Sequence, residues 1–175
     1  YGGNYRLTEF QAAVLSVQME RIEAQTRLRD ANNQALAKRV GALPGFHPQM
    51  RVEGTERNAT HLWCFHVDPA AFGVSRDRVL EALRAEGVPV GPGYATLVYE
   101  LGMFRDLRFA TYTGAAEGYD PDPTFHDERC PVAQRVSKET GAWMPQTTML
   151  ASPELLNQFG DAFEKVWESR ESLRA

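Results

Sequence analysis

The sequence predicts an α/β fold, and three features of its apolar pattern lead to that prediction. A long stretch with helical spacing follows Thr8, a β-branched and aromatic run occupies residues 61–67, and an apolar stripe with helical spacing follows Ser152. Helices that alternate with short strands around one core are typical of a layered α/β domain. The 175 residues, 43% hydrophobic and 24% charged, are enough for one soluble domain, or for one domain with a flanking piece.

A long first helix is predicted from Thr8 to about Leu43. Thr8 and Gln11 match the capping box, in which a hydroxyl and an amide satisfy free backbone groups at a helix start. The apolar positions that follow recur at helical spacing: Phe10, Val14, Val17 and Ile22. Pro44 and Gly45 end the pattern. Because more than about thirty residues is long for a globular helix, we expect a kink or break near residues 24–26, with the two halves packed in different places.

A strand, helix, strand unit is predicted in the middle of the chain. Residues 61–67 form the first strand. Ser75 caps a short helix that Gly87 ends, and its buried face consists of Val79, Leu80 and Leu83. Residues 88–90 are expected to form an edge strand, because Pro89 cannot donate a hydrogen bond to a neighbouring strand.

The last third of the chain is predicted to hold a functional loop and a final helix. Residues 91–127 are irregular and rich in Gly, Pro and Tyr, and loops of that length usually carry function. A helical turn is expected over residues 131–139, a short extended piece over residues 143–145, and a helix from Ser152 onward. The apolar residues of that helix are Leu155, Leu156, Phe159, Phe163, Val166 and Trp167. Core positions are expected for Trp63, Trp143 and Trp167.

Charge and composition argue against nucleic-acid and membrane partners. The net charge is -4, and phosphate neutralisation needs a concentrated excess of Lys and Arg. The basic residues are interleaved with acids, as in Arg76-Asp77-Arg78, which favours a solvated mixed surface. No apolar run reaches the ~20 residues needed to cross a bilayer, and no signal peptide pattern is present. We therefore expect a soluble, cytoplasmic protein.

Cysteine and histidine spacing does not favour a disulfide or a metal site. Cys64 and Cys130 stand alone in the sequence, so we expect two buried thiols. His61 and His66 would face opposite sides of the predicted strand and could not converge on one ion. Residues 126–128 with Cys130 contain metal-ligand types but lack tetrahedral-site spacing, so no metal is expected.

The first residues carry a family resemblance. Residues 3–13, Gly-Asn-Tyr-Arg-Leu-Thr-Glu-Phe-Gln-Ala-Ala, resemble the G-x-N-Y-R-M-T-E-x-Q-A-A segment of sugar aminotransferases of the DegT/DnrJ type. Further similar pieces follow in the family's order: Ser75-Arg76-Asp77-Arg78, residues 81–83, Gly87-Val88, residues 130–133 and Trp143-Met144-Pro145. The resemblance extends over nearly the whole chain.

The resemblance implies an aspartate-aminotransferase-like fold of type I, in which a large pyridoxal 5'-phosphate (PLP) domain precedes a small α/β domain. This chain resembles the small C-terminal domain, over residues 25–175. Residues 1–24 are expected to be a linker loop and helix that belong to, or pack on, the large domain. The Schiff-base lysine of the family lies upstream of the G-x-N-Y-R segment. The lysines of this chain are expected on the surface: Lys38, Lys138 and Lys165.

The resemblance also implies a homodimer with shared active sites, in which Asn4 reaches the PLP phosphate of the partner subunit. Phosphate accepts hydrogen bonds from amide and backbone N–H groups, and the glycines before Asn4 allow close approach at a helix start. Arg6 is the only cation of this loop and is a second candidate for the phosphate or for a substrate carboxylate. The alternative is that Asn4 shapes a turn and Arg6 pairs with a structural carboxylate.

The substrate region is expected at residues 91–99. Many relatives carry Tyr-Pro-x-x-Leu-His there, and the histidine is absent from this chain, which is more similar to the subgroup that aminates cyclitols such as scyllo-inosose. Tyr94 and Tyr99 are the substrate-binding candidates, since each offers a hydroxyl and a flat face to a polyhydroxylated ring. Packing between loop and core is the alternative role for both.

The expected function is that of a PLP-dependent aminotransferase. It would convert a keto-sugar or keto-cyclitol to the amino compound with an amino-acid donor such as glutamine or glutamate, in amino-sugar, aminocyclitol or antibiotic biosynthesis. Because the chain opens at Tyr1 directly on a dense motif, we expect an upstream segment with the lysine. Two alternatives stay open. A sugar dehydratase of the same family has histidine in place of that lysine, and a non-catalytic module would serve dimerisation or carbohydrate binding.

Overall fold

The computed structural model describes residues 6–102 and 130–174. Its helices and strands, numbered in chain order, are α1 (Glu9–Val40), β1 (Phe46–Pro48), β2 (Leu62–Val67), α2 (Pro69–Phe72), α3 (Arg76–Ala85), α4 (Pro131–Arg135), β3 (Gly141–Pro145) and α5 (Pro153–Glu168). A π-helical turn, Val136–Thr140, continues α4, and short 3-10 turns occupy Val98–Glu100, Gln146–Leu150 and Arg170–Arg174.

The first helix begins with the predicted capping box. The backbone N–H of Gln11 donates to the Thr8 hydroxyl at 3.3 Å, and that of Thr8 donates to the Gln11 side chain at 3.0 Å. Of the kink or break expected near residues 24–26, the break is absent, because α1 is continuous from Glu9 to Val40. Its sequence contains neither Gly nor Pro, so no residue interrupts the helix. The surroundings of the helix change along its length: the first buried residue of α1 is Thr26.

The three strands form one antiparallel sheet in the order β1-β2-β3. The predicted strand at residues 61–67 is confirmed as β2. The prediction of an edge strand at residues 88–90 is wrong. Only Gly91 pairs with the sheet, through two hydrogen bonds of 3.0 Å with Trp143. Val90 donates to the Val88 carbonyl at 2.9 Å, and this local bond bends the chain away from a ladder.

Helices α1, α3 and α5 cover one face of the sheet and enclose the core. Phe163 of α5 lies at its centre, with its ring centroid 5.0 Å from that of Phe46, 5.5 Å from that of Phe65 and 6.0 Å from that of Trp63. The other helical core residues include Leu36, Val40, Val79, Leu80 and Leu83. The resulting two-layer α/β domain leaves the second face of the sheet without a long helix among the described residues; only the short α4 and its π-helical turn lie beside it.

An arginine joins the ends of α1 and α5. The guanidinium of Arg39 donates to both carboxylate oxygens of Glu164, at 2.6 and 2.7 Å, and to the Asn157 carbonyl at 2.9 Å; it also pairs with Asp161. The hydrogen bonds from Arg39 hold the pKa of Glu164 below its ordinary value. This bidentate pair fixes the register of the two long helices.

Candidate functional site

The uncovered face of the sheet is the floor of a groove of about 1140 Å³. One wall is the end of β1 with residues 48–50, a second is the loop of residues 92–98, and the third consists of α4 with its π-helical turn. The lining is dominated by apolar side chains. Large apolar grooves are the usual places for ligands or for packing partners.

The floor brings together side chains that are distant in sequence. His47 of β1 lies opposite His66 of β2, and Cys64 lies opposite Trp143 of β3. The histidine pair was not predicted from the sequence, because it depends on β1, which was not predicted either. Trp143, expected in the core, is half-buried on this face instead, since its neighbours Ala142 and Met144 take the core positions of β3. Residues 6–102 and 130–174 contain no group of three or more metal-ligand side chains.

The two cysteines are less buried than the sequence analysis predicts. Cys64 and Cys130 are half-buried, and both line the groove. Burial raises the pKa of the Cys64 thiol, and its sulfur lies 3.8 Å from the carbonyl oxygen of Leu62. The neutral thiol is therefore the stable form, and this cysteine is not an activated nucleophile.

His66 occupies a site that disfavours its charged form. Partial burial lowers the pKa of His66, and the positive charges of His47 and Arg135 lower it further. Its Nδ1 lies 3.0 Å from the Thr140 hydroxyl, so the neutral ring already has a hydrogen-bond partner. A histidine with a lowered folded pKa takes up its proton more readily in the unfolded chain.

We expect the domain to lose stability as the pH falls below about 6.5, where His66 becomes protonated in the unfolded state first. Replacing His66 by Gln should flatten this part of the curve of thermal midpoint against pH. The matched control is His61→Gln, which removes an exposed histidine just before β2. If the thermal midpoint of the His66 variant depends on pH as that of the wild type does, His66 is not the cause of the loss of stability.

Tyr94 and Trp143 form an aromatic pair at the rim of the groove. Its side chain is 71% exposed, and its ring meets that of Trp143 edge-to-face at a centroid distance of 4.4 Å. The Ser137 hydroxyl donates to the Tyr94 carbonyl at 2.7 Å. Gly93 precedes it with φ of 82°, a left-handed conformation that favours glycine. Tyr94 is therefore an exposed ring on a fixed backbone.

Tyr99 is placed differently from Tyr94. It is half-buried in the 3-10 turn Val98–Glu100 and is not among the residues that line the groove. The turn is held by Glu100, which accepts hydrogen bonds from the Leu97 N–H at 2.8 Å and from Lys138 at 2.6 Å. These bonds lower the pKa of Glu100. The structure thus brings only one of the two tyrosines to the groove.

The residues expected at a cofactor phosphate lie at the other end of the chain. Asn4 is outside the described residues, and Arg6 is exposed in the extended segment just before α1. The start of a helix carries partial positive charge, so a cation at this point suits an anion. Lys38, Lys138 and Lys165 are exposed, as predicted, and none lines the groove.

The first half of α1 presents apolar side chains that the described domain does not cover. Phe10 is 88% exposed, and six further apolar residues of this segment are exposed: Leu7, Val14, Leu15, Val17, Met19 and Ile22. A contiguous apolar helix surface usually marks a contact with another body. No helix of the described residues is long and apolar enough to span a membrane.

The architecture matches part of a larger solved structure. The chain is similar to a solved structure titled 3-amino-5-hydroxybenzoic acid (AHBA) synthase, with a TM-score of 0.73 and 24% identity, over 97% of this chain and 41% of that one. This similarity defines the fold: a small α/β domain of the aspartate-aminotransferase-like type. The fold class predicted from the sequence is therefore confirmed.

The sequence comparisons identify the family. Residues 1–120 match the model of the DegT/DnrJ/EryC1/StrS aminotransferase family, and the chain belongs to that family. It is 31% identical to a putative L-glutamine:3-amino-2,3-dideoxy-scyllo-inosose aminotransferase of Micromonospora echinospora, over 99% of this chain and 42% of that relative. It is also 31% identical to an L-glutamine:2-deoxy-scyllo-inosose aminotransferase of Streptoalloteichus tenebrarius, over 99% and 41%. The chain thus spans about two fifths of the relatives it matches.

Proposed function

We propose that this chain is the C-terminal part of a PLP-dependent aminotransferase that aminates a keto-cyclitol or a related keto-sugar, with L-glutamine as the donor. The observation that carries the proposal is the family match over residues 1–120, which includes the segment around Asn4. The relatives named for scyllo-inosose amination, together with the lack of the histidine in residues 91–99, favour a cyclitol acceptor.

The exposed apolar surface of residues 7–22 supports the proposed division of the chain. Residues 1–24 would pack on the PLP domain, and residues 25–175 would form the small domain. In α1 the burial changes near Thr26, close to that boundary. A helix that is apolar over much of its circumference is stable in water only when another body covers it.

The donor groups of this chain fit one end of PLP, the phosphate. When bound, PLP supplies the electron sink and carries the amino group between donor and acceptor. Asn4 and Arg6 would hold the phosphate of the partner subunit's cofactor, through an amide N–H group and a guanidinium. The exposed position of Arg6 is compatible with a contact to another chain. The covalent lysine must come from elsewhere in the protein, since the lysines of this chain are on its surface.

Tyr94 would orient the acceptor ring. A cyclitol has an axial C–H face that packs on an aromatic ring and hydroxyls that need polar partners. Tyr94 offers both, and its fixed backbone means that little ordering entropy is lost on binding. The apolar remainder of the groove suits a protein surface better than a polyol, and we assign it to the contact with the PLP domain.

The full-length protein tests the function directly. With PLP and L-glutamine, it should convert 2-deoxy-scyllo-inosose to the amine, which mass spectrometry detects as replacement of the ketone oxygen by an amino group. A nucleotide-linked keto-sugar is the comparison acceptor and should react more slowly. Loss of water from the substrate without amino transfer would instead support the dehydratase alternative, and no product with either acceptor would remove the proposal.

A further inference from the structure

Arg76 is a buried cation beside the groove. It is the first residue of α3, and only 5% of its surface is exposed, although the interleaved charges of residues 76–78 predicted a solvated surface position. Its Nη1 lies within hydrogen-bonding distance of three backbone carbonyls, those of Ser137 at 2.9 Å, Gly141 at 3.1 Å and Pro92 at 3.3 Å. Its Nε donates to Asp77 at 2.9 Å.

These carbonyls belong to three different pieces of the groove. Pro92 is in the loop that carries Tyr94, Ser137 is in the π-helical turn, and Gly141 begins β3. The Arg76 guanidinium therefore connects the loop wall, the π-helical turn and the floor of the groove. A further hydrogen bond, from the Ser137 hydroxyl to the Tyr94 carbonyl at 2.7 Å, extends the connection to Tyr94.

Folding energy alone is a poor explanation for this buried charge. Its counterion, Asp77, has a side chain that is 69% exposed and therefore compensates little for the lost hydration. An apolar side chain of similar volume often stabilises such a position as well or better. What the guanidinium supplies is geometry: its rigid plane holds Nη1 among the three carbonyls while Nε donates to Asp77, and the single nitrogen of a lysine ammonium cannot occupy both places.

We propose that Arg76 is a positioning residue that fixes Tyr94 on the rim of the groove and thereby sets the affinity for the acceptor ketone. The inference rests on the proposed aminotransferase function and on the assignment of Tyr94 to the acceptor. Arg76 itself does not touch the substrate. It acts through Pro92, two residues before Tyr94, and through Ser137, whose hydroxyl donates to the Tyr94 carbonyl.

The test is Arg76→Lys in the full-length enzyme. The KM for the acceptor should rise about tenfold, the effect of losing one charge-assisted hydrogen bond that positions a binding group, while the KM for L-glutamine stays unchanged. Arg78→Lys is the matched control, because Arg78 lies on the same helix and forms an exposed pair with Glu81. An unchanged acceptor KM, or an equal rise for donor and acceptor, would overturn the proposal.

Two further measurements separate positioning from a general structural role. In a Tyr94→Ala background, Arg76→Lys should add no further loss of acceptor affinity, since its effect passes through Tyr94; additive losses would overturn the proposal. Amide hydrogen exchange over residues 91–97 should be faster in Arg76→Lys than in wild type or Arg78→Lys, whether or not the enzyme turns over. Unchanged exchange would also overturn it.

A milder variant covers the case in which Arg76→Lys does not fold. Ser137→Ala removes the hydroxyl that donates to Tyr94 and keeps the buried guanidinium in place. It should raise the acceptor KM and the exchange of residues 91–97 in the same direction, and no change in either would overturn the proposal. Failure of the wild type to transfer an amino group would count against the proposed function, whereas normal exchange in these variants counts against the positioning role.

Discussion

Replacing Phe163 by Ala is expected to lower the free energy of unfolding of the domain by about 3 to 5 kcal/mol. Phe163 is fully buried and meets the rings of Phe46, Trp63 and Phe65 edge-to-face. These residues come from β1, β2 and α5, so the ring is the point at which the sheet and the helical layer join. Truncation removes its transfer free energy and leaves a cavity among rigid aromatic rings that cannot close around it.

Urea unfolding followed by circular dichroism measures the effect of this substitution. The midpoint should fall with little change in the slope of free energy against urea, since the surface exposed on unfolding changes little. Leu155→Ala is the matched control on the same helix, because the Leu155 side chain is 42% exposed and should cost well under half as much. A loss below about 1 kcal/mol for Phe163→Ala would show that the core repacks.

Local signals in the sequence predicted the starts of the three long helices, α1, α3 and α5, whereas the four-residue helix α2 was not predicted. Thr8, Ser75 and Ser152 each accept a hydrogen bond from an N–H three residues further on, at 3.3, 3.4 and 3.3 Å. Capping involves only residues within one turn, so it leaves a readable pattern in the sequence. The extent of α1 was readable for the same reason, apart from the break that its length suggested.

The sheet and the groove could not be predicted in this way. Strand β1 has three residues and includes Pro48, which gives no alternating pattern to detect. It becomes a strand because Phe46 pairs with Val67, and that contact depends on the folded domain. The buried state of Arg76 is equally non-local, since its acceptors include carbonyls of residues 137 and 141. A run of charges with alternating signs predicts a solvent-exposed position unless buried hydrogen-bond partners are known from the structure.

In the candidate site, too, some residues could be predicted from the local sequence and others could not. Tyr94 was a candidate because of the family resemblance of its loop and its residue type, and the structure places it on the groove, but its edge-to-face partner Trp143 was assigned to the core. The histidine pair of β1 and β2 was missed altogether, because it exists only in the register of the sheet. Asn4 lies outside the described residues, and its role is therefore a question for experiment.

Mixing two inactive variants of the full-length protein is expected to restore activity. One variant carries Asn4→Ala, which should lose PLP during dialysis because its phosphate contact is gone. The other carries Ala at the upstream lysine expected from the family resemblance. If Asn4 serves the partner subunit's site, a mixed dimer has one site with both residues intact and one site with neither. Random mixing of subunits should then recover about a quarter of the wild-type activity, against a background near zero for either variant alone.

The control for this recovery is Asn58→Ala mixed with the same lysine variant. Asn58 is exposed in the β1–β2 connection, so its substitution should not damage any active site. The activity of this control mixture should be proportional to the fraction of subunits that keep the lysine. Recovery in the Asn4 mixture requires exchange of subunits and should appear only after the two proteins are dissociated and reassembled together. If subunits exchange and the Asn4 mixture stays inactive, then Asn4 acts within its own subunit, whereas an active Asn4→Ala variant would show that Asn4 is not needed at all. A phosphate contact confined to one chain would leave one damaged component in each site of the mixed dimer, so the two arrangements predict opposite results from the same mixture.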